Sequence, residues 1–200
     1  AARENSTLPV FVTMTFGEDG RTFLGTTPEI AAEVLSSLGA QAVGLNCSLG
    51  PAELTGAARA MASRVRCPLM AQPNAGLPHM ENGETVFDVG PEEFARAMGP
   101  LLDAGASIVG GCCGTSPRSI ELLSKEIARR GKPTPRAFKP ACVLASAQEA
   151  VVLEKGKHAV AVIGERINPT GKKKLKAALR SGDLDYVIGE AVTQRNSGAD

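Results

Sequence analysis

Three cysteines carry the most specific chemistry in this sequence. Cys112 and Cys113 are adjacent, framed by glycines in Gly110-Gly111-Cys112-Cys113-Gly114-Thr115, and they follow the apolar run Ala106-Ser107-Ile108-Val109. Cys47 ends a second apolar run, Ala42-Val43-Gly44-Leu45-Asn46. Three thiolates suit zinc, bound at about 2.3 Å with the fourth tetrahedral position open, and an open position belongs to a catalytic site rather than a structural one. A thiol entering that position is deprotonated outright, whereas a free thiol with a pKa of about 8.5 is mostly protonated at neutral pH. Thiol alkylation is the reaction such a centre serves. The plainer reading of the same residues is three small buried side chains. Asn74 follows the strand between the two cysteine-bearing strands. Its amide oxygen can reach the same site as a fourth zinc ligand, and it fits equally well as an Asn that stabilises its own turn.

The elements that must position these residues alternate. Leu8-Pro9-Val10-Phe11-Val12-Thr13-Met14-Thr15 reads as a buried strand, bounded by Pro and by Gly17-Glu18-Asp19-Gly20. Thr27-Pro28-Glu29 opens a helix and Gly39 closes it, with Ile30, Val34, Leu35 and Leu38 on one face. The strand ending at Cys47, a helix opened by Pro51, and a short strand Pro68-Leu69-Met70-Ala71-Gln72 follow. The stretch from Pro73 to Pro91 reads as a long irregular loop of the lid or binding type. A helix from Pro91 to Asp103, the strand before Cys112, and a helix from Pro117 to Gly131 complete the set. Ser116-Pro117 supplies an N-cap and a fixed φ for that last helix. Strand, loop and helix recur with near-continuous apolar strands, which predicts a parallel sheet covered by helices, with all strand C-termini on one face. Both half of an eight-fold (β/α) barrel and a small doubly wound sheet match this rhythm.

Gly131-Lys132-Pro133-Thr134-Pro135-Arg136-Ala137-Phe138-Lys139-Pro140 has the composition of a linker. Beyond it, Ala159-Val160-Ala161-Val162-Ile163 reads as a buried strand, followed by the turn Gly164-Glu165-Arg166-Ile167-Asn168-Pro169-Thr170-Gly171 and helices over 172–179 and 184–196. The turn is not a phosphate loop, which needs four residues between its glycines and Ser or Thr after the Lys; Lys173 follows here. Glu165 and Asn168 offer hydrogen bonds to a polar heterocycle, and Lys172, Lys173 and Lys174 read as a solvated helix face. Cys67 and Cys142 read as incidental thiols, and His79 and His158 receive no role.

The totals narrow the function classes. Lys+Arg of 22 against Asp+Glu of 21 in 200 residues gives no electrostatic reason to expect nucleic acid or a membrane surface. No apolar run approaches the ~20 residues of a membrane span, and the first residues lack the apolar core of a signal peptide. The cytoplasm is the default compartment, and in a reducing compartment five cysteines point to metal or catalytic use rather than a disulfide framework. The missing initial Met and the single strand of the second unit give the expectation of a piece of a longer protein.

Gly44-Leu45-Asn46-Cys47-Ser48-Leu49-Gly50-Pro51, Gln72-Pro73-Asn74-Ala75-Gly76, Glu81-Asn82-Gly83 and the double-cysteine motif resemble the homocysteine-binding barrel of the cobalamin-dependent methionine synthases. Gly164 to Gly171 is similar to the first strand-turn of the folate-binding barrel of the same family, and the two sets occur in the family's order. The resemblance implies an α/β fold of (β/α)8 TIM barrels, with 1–130 as the C-terminal half of the homocysteine barrel, 131–157 as linker and 158–200 as the start of the pterin/folate barrel. It implies that Cys47, Cys112 and Cys113 ligate Zn2+ with Asn74 beside them, and that Glu165 and Asn168 contact the pterin. The reaction it implies is methyl transfer from methylcobalamin, recharged from 5-methyltetrahydrofolate, to the zinc thiolate of homocysteine, with cobalamin held by a domain outside this sequence. A cobalamin-independent homocysteine methyltransferase with another donor shares the cysteine motif, and a non-catalytic zinc or redox module is the alternative from a different class. A half barrel exposes two sheet edges, so the chain alone is expected to be poorly folded or oligomeric, and inactive.

Overall fold

The computed structural model describes residues 1–131, 141–153 and 160–200. The chain divides into two compact units, Ala1–Val152 and Leu153–Asp200. In the first, α1 (Ala2–Asn5) precedes β1 (Phe11–Met14), α2 (Pro28–Ser37), β2 (Ala42–Asn46), α3 (Pro51–Ala62) and β3 (Leu69–Gln72). Next come β4 (Pro78–Glu81), β5 (Glu84–Phe87), α4 (Pro91–Ala97), α5 (Gly99–Asp103), β6 (Ala106–Val109) and α6 (Pro117–Arg130). Strands β1, β2, β3 and β6 form one sheet in that order, every neighbouring pair parallel. This is the mixed α/β architecture with a parallel sheet that the alternation predicts.

Local chemistry explains the boundaries. Pro28, Pro51, Pro91 and Pro117 each stand at the start of a helix, where the missing N–H costs nothing. Thr27 Oγ1 accepts from the Ile30 N–H, and Ser116 forms a reciprocal capping box with Ser119. On the sheet, Val43, Leu45, Leu69 and Ala71 are buried against Leu54, Ala58, Met61, Phe94, Met98 and Leu101 of the helices. This single apolar layer fixes which way each strand faces, since a one-residue slip would turn the apolar set away from the helices.

Several expectations are corrected. The first strand, expected to be buried, is half-buried at Val12, Thr13 and Met14 and exposed at Phe11, because it stands at the edge of the sheet. The stretch from Pro73 to Pro91 is not an irregular loop throughout, because β4 and β5 pair as an antiparallel hairpin within it. Its turn is Asn82-Gly83, both with positive φ (51° and 85°), the pattern of the hairpin turn that Asn-Gly favours. The helix expected from Pro91 to Asp103 is broken at Met98, where Pro100 withholds an N–H and its ring crowds the carbonyl four residues back. The strand expected over Ala159–Ile163 does not form over 160–163. There Val162 exchanges hydrogen bonds with Asp200, its N–H donating to the carboxylate and its C=O accepting from the Asp200 N–H. No strand lies alongside among the described residues, and a strand without a ladder partner is not a stable element.

Inside the stretch expected to be linker, β7 (Cys142–Ala145) and β8 (Ala150–Leu153) form a second hairpin. It is tied to the first unit by Thr26 Oγ1 donating to Ala147 O and by Gln148 Nε2 donating to Leu24 O. Residues 132–140, which hold the rest of the proline-rich segment, lie outside the described residues. The second unit contains α7 (Lys173–Ser181) and α8 (Leu184–Asn196), with Leu175 and Ala178 buried. No helix among the described residues is long and apolar enough to cross a membrane.

Candidate metal centre

The C-terminal ends of β2, β3 and β6 are stitched together by backbone hydrogen bonds that continue past the strands. The Cys47 N–H donates to Gln72 O and the Gly110 N–H to Ala71 O, so the chains leaving β2 and β6 stay pressed against the chain leaving β3. Further along, the Cys112 N–H donates to Pro73 O, the Ala75 N–H to Cys113 O, and the Asn74 N–H to Leu49 O. Thr115 fastens the far side by donating its hydroxyl to Cys112 O at 2.7 Å. The effect is to bring residues 66 positions apart into one cluster: Cys47 Sγ lies 3.8 Å from Cys113 Sγ, and Cys112 Sγ lies 3.9 Å from Cys113 Sγ.

A tetrahedral thiolate centre with metal–sulfur bonds of about 2.3 Å places its sulfurs about 3.8 Å apart. The triad has that spacing before any ion is considered, with all three sulfurs within 4.8 Å of one another. Among the described residues no other group of three or more His, Cys, Asp or Glu side chains is drawn together in this way. Cys47 and Cys112 are half-buried and Cys113 is exposed, so the cluster opens on one side to solvent. The residues present therefore fit a thiolate-held metal ion with an accessible position.

Electrostatics separate Cys47 from Cys113. Burial opposes ionisation of Cys47, but hydrogen bonds from the Ser48 backbone N–H, from Cys112 and Cys113, and from the Asn74 side chain outweigh it and hold the thiol below its ordinary value. Cys113, hydrogen-bonded to Cys47 and Cys112 and repelled by charge on them, is pushed up to about 11. Cys47 thus ionises before Cys113. Backbone shape is part of this arrangement: Cys47 and Ser48 are consecutive left-handed residues (φ 62° and 64°), a conformation that costs non-glycine residues energy and persists only where the surroundings over-determine it. Here the hydrogen bonds to Gln72 O and from the Asn74 N–H hold the turn on both sides.

Asn74 is buried, 3% exposed. Its Oδ1 accepts from the Cys113 N–H at 3.1 Å, so it orients the double-cysteine loop, a role its residue type did not single out. Phe87, at the end of β5, was also invisible in the sequence. Its ring closes on Gly114, where an added Cβ would stand 2.6 Å from Phe87 Cβ and 2.7 Å from Cδ2, and where φ is +76°. The signal that could have found this contact is the Asn82-Gly83 hairpin turn, which returns β5 to the strand ends.

The remaining candidates stand apart from the triad. Cys67 is half-buried, 3.9 Å from Ser36 Oγ, and Cys142 is exposed on β7. In the second unit, Asn168 Oδ1 accepts from the Thr170 N–H, an Asx turn. Lys172 is not simply part of a solvated face: its Nζ donates to Arg166 O at 2.9 Å and pairs with Glu165 Oε1 at 3.3 Å.

A parallel α/β unit with three thiols gathered at its strand ends is the class of protein that the fold and site define. Within that class, the sequence model for homocysteine S-methyltransferases matches residues 1–127, and the chain belongs to this family. It is 34% identical over 199 residues to a methionine synthase of Mycobacterium leprae, covering 96% of this chain and 16% of that protein. It is 33% identical over the same length to a methionine synthase of Mycobacterium tuberculosis, with the same coverage. The chain therefore spans about one sixth of the length of these relatives.

Proposed function

We propose that this chain supplies the zinc-thiolate half of a methionine synthase, in which Cys47, Cys112 and Cys113 hold Zn2+ and the open coordination position receives the sulfur of homocysteine. The observation that carries the reading is the sulfur spacing at the ends of β2 and β6, taken with membership of a homocysteine S-methyltransferase family. Held by these cysteines, a metal ion would supply the charge that keeps an incoming thiol deprotonated, its proton released to solvent, so that the sulfur could attack the donor's methyl carbon as the bond from that carbon to the donor breaks. The chain's own residues do the positioning. Asn74 and Pro73 O fix the backbone of the double-cysteine loop, the Ser48 N–H stabilises charge on Cys47, and the solvent-facing side admits the thiol. Asn74 Oδ1 retains a second lone pair beyond the one that Cys113 uses, and it serves as the fourth ligand until substrate arrives; a zinc K-edge spectrum unchanged by Asn74→Ala would refute this.

Methylcobalamin is the donor in this reading, recharged from 5-methyltetrahydrofolate, because the turn from Gly164 to Gly171 resembles the start of a folate-binding barrel. The four parallel strands then represent one half of a (β/α)8 barrel, and residues 158–200 open a second barrel in which Glu165 and Asn168 face the pterin. Cobalamin and the rest of the folate site are contributed by further domains, and the free thiols call for a reducing compartment such as the cytoplasm. The test is zinc content per chain after anaerobic purification, with Cys112→Ser as control, followed by homocysteine binding. About one zinc per parent chain and little in the variant is expected. Equal zinc in both, or zinc with no open position for a thiol, would overturn the reading.

A further inference from the structure

We propose that the β4–β5 hairpin is a lid on the thiol centre, pivoting beside Gly76 and latched by Phe87, whose apolar face closes over a bound thiol and slows its escape. This rests on the thiolate reading above. The hairpin is a two-stranded sheet of its own, outside the parallel sheet, and such a ribbon is marginally stable unless it packs against something. Among the described residues no hydrogen bond or ion pair joins 77–87 to the rest of the chain. The Val89 N–H clips the base by donating to Ala75 O. Gly76, with φ of +90°, is the first residue beyond that clip. Exposure begins at once: Gly76 is buried and every residue of β4 is exposed. Segments held by so few contacts open locally at low cost, and lids are drawn from them.

The hairpin stands beside the thiols. Ala75, at its base, donates its N–H to Cys113 O, and Phe87 lies against Gly114, the residue after Cys113. Cross-strand partners share a face, and residues two apart along a strand return to it. Phe87 pairs with Pro78 and Thr85 with Met80, so Pro78 and Met80 look the same way as the ring on Gly114, toward the cysteine loop. Thr85 Oγ1 donates to Met80 Sδ at 3.6 Å, which keeps that side chain on this face. The opposite face carries His79, Glu81 and Glu84 with Val86. Met80 is 68% exposed, and it gains by closure only where apolar surface lies beneath it. The carbon chain of a metal-held thiol supplies that surface, and an unoccupied metal offers none. A bound thiol therefore favours the closed form, which is the differential affinity a ligand needs to shift such an equilibrium.

The experiment follows dissociation of L-homocysteine from the zinc-loaded full chain by stopped-flow chase in the parent, Met80→Asn, Met80→Leu and His79→Asn. Zinc content equal to the parent's identifies the variants whose metal site is intact. Dissociation is expected to be roughly 10-fold faster in Met80→Asn. It should stay near the parent's in Met80→Leu, which restores the apolar face, and in His79→Asn, which puts the same amide on the other face. Hydrogen exchange is the second readout: the amides of 78–87 gain protection when homocysteine binds the parent. Dissociation from Met80→Asn equal to the parent's overturns the proposal, as does a hairpin that gains no protection. Equal acceleration in Met80→Asn and His79→Asn also overturns it, since the effect would then not depend on the face. Failure of homocysteine to bind the zinc-loaded parent is a different outcome: it refutes the thiolate centre itself, and the lid with it.

Discussion

Substituting Gly114 by alanine tests whether the hairpin holds the cysteine loop in its metal-ready shape. Two costs follow from the structure. The backbone at φ +76° is left-handed, which costs a residue with a Cβ about 1–2 kcal/mol. The new Cβ would also stand 2.6 Å from Phe87 Cβ, and relieving such overpacking costs about 1–3 kcal/mol. Both fall on the residue directly after Cys113, so they oppose the loop conformation that brings Cys113 to Cys47. The sum, about 2–5 kcal/mol, weakens metal binding between roughly 30-fold and several thousand-fold at 1.4 kcal/mol per decade. Competition for Zn2+ against a chromophoric chelator reads this directly. The same substitution made in a Phe87→Gly background, which removes the Cβ together with the ring, keeps only the backbone cost, so its penalty shrinks to roughly 5-fold to 30-fold. An equal penalty in both backgrounds would show that Phe87 does not brace the loop, and no penalty in either would refute the link between loop shape and metal binding.

Replacing Asn74 by alanine strips the Cys113 N–H of its buried acceptor, a loss of about 1–3 kcal/mol; zinc affinity should drop roughly 5-fold to 150-fold, and Asn74→Asp, which keeps an acceptor, should recover most of it. Glu126 is held down to about 2 by hydrogen bonds from Arg129 and Arg130. Its contribution to stability is therefore present above the ordinary value of 4.5 and lost as pH falls from there towards 2. Thermal melts should show Glu126→Gln lowering the midpoint at pH 7 and leaving it unchanged at pH 2, and an equal shift at both pH values would contradict the pairing. Strands β1 and β6 each have one neighbour in the sheet, and Leu8, Phe11, Phe23 and Leu24 are exposed, so the chain on its own should self-associate in sedimentation velocity. A monodisperse monomer with one cooperative thermal transition would refute this.

Much of the fold was legible because its signals are local. Helix starts follow from single residues, Pro28, Pro51, Pro91 and Pro117, and the four sheet strands from short apolar runs. The β4–β5 hairpin was missed although Asn82-Gly83 announces it, because Pro78, His79, Met80 and Glu81 lack the alternation of a half-buried strand. The strand expected at Ala159–Ile163 shows the reverse failure. Its apolar residues satisfy the propensity for a strand, but a strand exists only through the ladder it joins, and Val162 bonds to Asp200 instead.

Residue types and spacing alone determined that the three thiols follow short apolar runs, and in a parallel α/β chain the ends of such runs lie on one face. Whether those thiols meet was decided only in three dimensions. Their separation depends on how β2, β3 and β6 are registered and on the hydrogen bonds that Gln72 O and Pro73 O accept and that the Asn74 and Ala75 N–H groups donate beyond the strand ends. The left-handed turn at Cys47 and Ser48, the orienting bond from the Cys113 N–H to Asn74, and the ring of Phe87 against Gly114 are likewise products of packing. Each joins residues distant in sequence, and no window of local sequence contains both partners of such a contact.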